Sequence, residues 1–86
     1  MKVKKEIEDA LQREFSPEKL VVIDESESHR GHSGWKEGGE THFRVTIVSG
    51  RFAGLSRLER HRLVHRALSP SPLADIHALA MEVSPT

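Results

Sequence analysis

One stretch, Gly39 to Leu68 (GETHFRVTIVSGRFAGLSRLERHRLVHRAL), constrains the fold more than any other. Its first part alternates Phe43, Val45 and Ile47 with His42, Arg44 and Thr46, the period of two expected of a half-buried strand over Thr41 to Ser49. Gly50 and Gly54 then bracket Arg51-Phe52-Ala53, which predicts a tight turn with Phe52 as its apolar plug. Ser56-Arg57-Leu58-Glu59 has the form of a capping box, so a helix is expected to start there. At 100° per residue, Leu58, His61, Val64, His65 and Leu68 fall on one side, widened by Leu63 and Ala67, with Arg62 and Arg66 opposite. Ser69, Pro70 and Pro72 end the helix, because proline has no amide to donate and restricts the residue before it.

The flanks supply partners for this unit. Val3, Ile7, Ala10, Leu11 and Phe15 recur at steps of three and four, predicting a helix over Lys2 to Glu14 with Phe15 under its end. Leu20 to Ile23 is a β-branched run that continues into Asp24-Glu25-Ser26 as a strand. A long polar loop with four glycines follows, carrying His29, His32 and Trp35; loops of this length in a small domain are often functional. Beyond Pro70-Ser71-Pro72, Ile76 to Val83 reads as a last strand with His77 at its start, facing as Leu79, Met81 and Val83 do. The order αββαβ predicts an α+β layer, a three-stranded sheet covered by helices, in one domain over residues 1–86. If the second and third strands are parallel, their helical connection is a right-handed crossover.

Composition limits the chemistry. With no cysteine in 86 residues, no disulfide or thiolate-ligated metal site can be built from this chain alone. Any metal must be held by histidine or carboxylate, and six histidines are many for so small a protein. Thirteen basic residues balance thirteen acidic ones, which argues against binding nucleic acid through overall charge. Locally, however, Arg51, Arg57, Arg60, Arg62 and Arg66 face one acid, Glu59, leaving a basic patch that can contact phosphates or remain a solvated helix face. No apolar run approaches the length of a membrane span, and Met1-Lys2-Val3-Lys4-Lys5 does not lead into a signal segment, so a cytoplasmic location is expected. The serines lack a nucleophile motif, and Asp24 and Glu25 point to opposite strand faces, so no catalytic constellation is present and the chain is not expected to be an enzyme.

Taken together, Asp24-Glu25-Ser26, His29-Arg30-Gly31-His32, Gly39-Glu40-Thr41-His42-Phe43, Val48-Ser49, Phe52-Ala53-Gly54, Arg60-His61-Arg62 and His77-Ala78-Leu79 resemble the signature of BolA-like proteins over nearly the whole chain. The resemblance implies a fold similar to a type II KH domain. It also implies partnership with a monothiol glutaredoxin around a shared [2Fe-2S] cluster, with no cofactor on the isolated chain. A second implied role is DNA binding in stress-linked transcriptional regulation, for which Arg51, Arg57, Arg60, Arg62 and Arg66 are the candidate contacts. In the histidine-bearing branch of the family the cluster ligands match His77 and a loop histidine. Counting from Asp24-Glu25-Ser26 favours His29, and the Gly31-His32-Ser33-Gly34 context favours His32. Neutral imidazole suits iron, and a chain without thiols fits a cluster whose other ligands come from a partner.

Among the remaining histidines, His61 and His65 share a helix face, but Arg62 stands where a zinc protease needs glutamate, so His61 reads as a core or hydrogen-bonding residue. His42 is read as steadying the loop. Trp35 is the candidate contact for a partner protein, the alternative being a ring folded back over the sheet. The Gly31-to-Gly34 spacing lies between two strands rather than two helices, and is not read as a nucleic-acid clamp.

Overall fold

The structure is a computed structural model that describes residues 2–25 and 42–86. The loop residues His29, His32 and Trp35, and the expected strand residue Thr41, lie outside the described residues.

Among the described residues, two helices and three strands are arranged as the hydrophobic periodicity predicts. Helix α1 covers Lys2–Phe15, strand β1 Lys19–Asp24, strand β2 His42–Val48, helix α2 Arg57–Leu68 and strand β3 Ala78–Ser84. Single turns of 3-10 helix at Gly50–Phe52 and Leu73–Asp75 lead into and out of α2. The sheet order is β1-β2-β3. β1 and β2 run antiparallel with Val22 opposite Val45, whereas β2 and β3 run parallel with Val45 opposite Met81. A parallel pair needs a long crossover, and α2 with its flanking turns supplies it.

The core lies between the helices and one face of the sheet. Ile7, Ala10, Leu11 and Phe15 of α1 meet Val22, Phe43, Val45 and Ile47 of the sheet and Val64 and Leu68 of α2. Phe52 is the plug expected of the turn: its side chain is fully buried, and its ring centroid lies 4.8 Å from that of Phe15. Burying such a ring contributes about 1.5–3 kcal/mol. Ser49 fastens the same end of the molecule. Its hydroxyl donates to the Phe15 carbonyl at 2.8 Å and accepts from the Arg51 amide at 3.2 Å, while its own amide donates to the Ser84 carbonyl at 3.0 Å. One residue thereby joins the end of α1, the turn and the end of β3.

Two local expectations are corrected. Of the glycines in the turn, Gly54 alone takes the left-handed conformation, at φ +79°, so the reversal before α2 rests on it and not on Gly50. On α2, Val64 and Leu68 are buried with Leu63 and Ala67 partly so, but Leu58 is 60% exposed and His65 is exposed. A short helix against a small sheet buries one stripe, and here it runs through Leu63, Val64, Ala67 and Leu68. Leu58, His61 and His65 therefore share the outer side with Arg62 and Arg66.

Candidate functional site

Among the described residues, those with chemistry fall into two places: the rim of the sheet where β2 and β3 begin, and the outer side of α2.

At the rim, strand register does the positioning. His42 opens β2 and pairs with Ala78, the first residue of β3. The His42 carbonyl also accepts the Glu25 amide at 2.8 Å, which carries β1 contact one residue beyond its end. The side chain of His42 is buried, at 4% exposure. His77 immediately precedes Ala78, so the register that fixes His42 delivers His77 to its side. The two ring centroids are 5.1 Å apart with planes inclined at 53°. His77 itself is exposed. It lies one residue before the strand, not in it, so strand alternation does not turn it inward with Leu79, Met81 and Val83. Beside the pair, Arg44 Nε donates to Glu25 Oε2 at 3.0 Å, an ion pair on the open face of the sheet.

Charge organises the outer side of α2. Ser56 caps the helix in both directions: its hydroxyl accepts from the Glu59 amide at 3.1 Å, and its amide donates to Glu59 Oε1 at 2.9 Å. The hydrogen bond from the Ser56 backbone, then that from its side chain, and the nearby charge of Arg62 hold the Glu59 carboxyl below its usual range. The one acid of this segment is thus engaged in the cap, and a single carboxylate only partly offsets the five arginines. Arg51, Arg57, Arg62 and Arg66 are exposed. Arg60 is turned the other way: its Nε donates to the Leu55 carbonyl at 3.1 Å, and a terminal nitrogen donates to the Val83 carbonyl at 3.4 Å. It serves to join α2 to β3, and of the five candidate arginines it is the one held by backbone carbonyls.

Between these arginines, Leu58, His61, Arg62, His65 and Arg66 line an open groove. Burial, then the charges of Arg57 and His65, push the His61 imidazole below its ordinary value, so it is the neutral ring at pH 7. A cluster of cations around two imidazoles disfavours a metal ion there and favours an anion.

What the rim can hold follows from its donors. Among the described residues no group of three or more His, Cys, Asp or Glu side chains is placed to hold a metal ion. An exposed imidazole with no thiolate anywhere in the chain fits one ligand position of a metal centre completed by other molecules, and does not fit a self-contained site. Sequence reading identified His77 and missed its contact with His42, since the pairing of β2 with β3 creates it. It also placed Leu58 on the apolar side, although at about 100° per residue Leu58 stands nearer to Arg62 than to Val64. No helix among the described residues is long and apolar enough to cross a membrane.

Known proteins match this arrangement over nearly its full extent. The chain is 48% identical over 83 residues to an uncharacterized protein of a Sinorhizobium species, covering 95% of this chain and 89% of that one. It is 48% identical over 80 residues to the DNA-binding transcriptional regulator BolA of Vibrio cholerae, covering 93% of this chain and 72% of the relative. With mouse BolA-like protein 1 the identity is 49% over 72 residues, and the match spans 84% of this chain but half of the mouse protein. Among solved structures, the BolA domain of SufE1 from Arabidopsis thaliana superposes with a TM-score of 0.86 at 35% identity, covering 99% of this chain and 93% of that one. BolA1 from the same plant gives 0.84 at 33% identity with the same coverage. The family model described as BolA-like protein matches residues 11–86, and with it the sequence, the order of elements and the superposition agree that this chain belongs to the BolA-like family.

Proposed function

We propose that this chain is an adaptor that binds a monothiol glutaredoxin in the cytoplasm and gives histidine ligands to a [2Fe-2S] cluster shared with it, in cluster transfer or iron homeostasis. The observation that carries the proposal is the exposed imidazole of His77, held against a buried ring at the sheet rim of a chain that has no thiol. His77 would be one ligand, and His29 or His32 the second. When bound, such a cluster supplies electron storage at a potential that neutral nitrogen ligands raise. The chain's own part is to present an imidazole from the bend at the sheet rim and to leave the thiolate positions to the partner and to a small thiol such as glutathione. The test mixes the protein with a monothiol glutaredoxin, glutathione, iron and sulfide, and compares visible absorption and circular dichroism with those of the glutaredoxin alone. A changed spectrum in a one-to-one complex, lost in His77→Ala, is expected. A spectrum identical with and without His77 would sink the assignment.

A second reading has its own support in the exposed arginines of α2 and in the description of the Vibrio cholerae relative as a DNA-binding transcriptional regulator. In this reading Arg51, Arg57, Arg62 and Arg66 contact phosphates, and affinity falls steeply with salt. A flat salt response would remove it.

A further inference from the structure

We infer that His42 is a positioning residue for His77: its buried ring sets the plane in which the exposed His77 imidazole is offered to a metal centre completed by a partner. The inference rests on the cluster-sharing reading for its purpose, but on the sheet rim for its geometry.

His42 is unusually well fixed. It is the first residue of β2, its carbonyl accepts the Glu25 amide at 2.8 Å, it pairs with Ala78 in the parallel ladder, and its side chain is 4% exposed. His77 has none of this support. It lies in the bend before β3, exposed, where the ladder has not yet begun. A side chain there is free to change rotamer unless a neighbour restricts it, and that freedom must be given up on ligation. The His42 ring lies 5.1 Å from the His77 ring, inclined at 53°, and provides a flat wall that limits how His77 can turn. Groups that orient a metal-binding histidine are a general requirement of such sites, and their loss typically weakens metal affinity by about tenfold or more.

A positioning ring and a ligand make different demands. A ligand needs its nitrogen, whereas a wall needs its flat face. His42→Phe keeps the face without the nitrogen, and His42→Leu fills the space without the face. The isolated protein, both variants and His77→Ala are compared by nitrogen-15 spectra of the histidine rings at a pH where the rings are neutral, and then by reconstitution with a monothiol glutaredoxin, glutathione, iron and sulfide. We expect the His77 ring signals to stay distinct in His42→Phe and to drift toward those of a freely rotating histidine in His42→Leu. Retention of the cluster should fall about tenfold in His42→Leu and stay near wild type in His42→Phe. His77 signals unchanged in His42→Leu would overturn the inference. So would loss of the cluster in His42→Phe as complete as in His77→Ala, since His42 would then be a ligand. Should no variant, nor the wild type, share a cluster, the cluster reading fails by itself and the ring spectra still decide whether His42 positions His77. Backbone amide spectra show whether each variant is folded, and His42→Phe, which keeps a flat ring at this buried position, decides the question alone if the leucine variant is not.

Discussion

Two pairs of histidines sit at opposite kinds of address in this molecule. His61 and His65 are one helical turn apart on α2, neighbours by local geometry, in a groove walled by Arg62 and Arg66. His42 and His77 are separated by residues 43–76 and meet only because β2 and β3 pair in parallel with His42 opposite Ala78. The local pair is surrounded by positive charge, which repels a cation. The distant pair combines a buried ring with an exposed one. Spacing in sequence thus says less about the setting of a histidine pair than the elements packed around it do.

The largest expected effect tests this contrast directly. His77→Ala abolishes the spectral signature of the mixed cluster complex, whereas the double variant His61→Ala with His65→Ala leaves it within error of wild type. If the helix pair proved necessary and His77 dispensable, the contrast would be reversed. Next in size, Arg62→Glu with Arg66→Glu should weaken binding to duplex DNA and lower the slope of log affinity against log salt by about 2, as two phosphate contacts are lost. The same pair of changes should not touch the cluster spectrum.

Smaller effects sharpen the picture of α2 itself. Ser56→Ala removes the hydroxyl that accepts the Glu59 amide, and should cost about 1 kcal/mol in urea unfolding without altering His77. Last comes a pH effect. His61 binds its proton less readily in the folded state than its ordinary value of 6.5, so between the two values the unfolded chain holds more protons. Stability is therefore complete above that window and falls as pH drops through it. His61→Asn should flatten this fall, measured by urea midpoints at about pH 7.5 and about pH 5.5. An unchanged pH dependence would place the cause elsewhere.

Much of the fold was legible before the structure because its signals are short-range. The capping box at Ser56 and Glu59, the alternation of Phe43, Val45 and Ile47, and the Phe52 plug each depend on a few adjacent residues. The cover of two helices over a three-stranded sheet then follows from the need to bury one face of each element, whereas the strand order comes from the structure. What could not be read is tertiary. Leu58 stands at the edge of the arc that holds Val64 and Leu68, and the stripe that packs lies to one side of it. Arg60 looks like its neighbouring arginines until its bonds to the carbonyls of Leu55 and Val83 are seen. His42 read as a loop support because nothing local announces that the chain will return beside it after α2.

The parallel run of β3 also serves as a ruler. It begins next to His77 and ends at Ser84, beside the Ser49 clasp, so its seven residues separate the two ends of the sheet by about 20 Å. A fluorescent label attached at Thr86 would stand clear of a partner docked on the histidine rim, yet within energy-transfer range of any coloured metal centre assembled there. Assembly and release could then be followed as dimming and recovery of a single dye, in real time and without touching the residues under test.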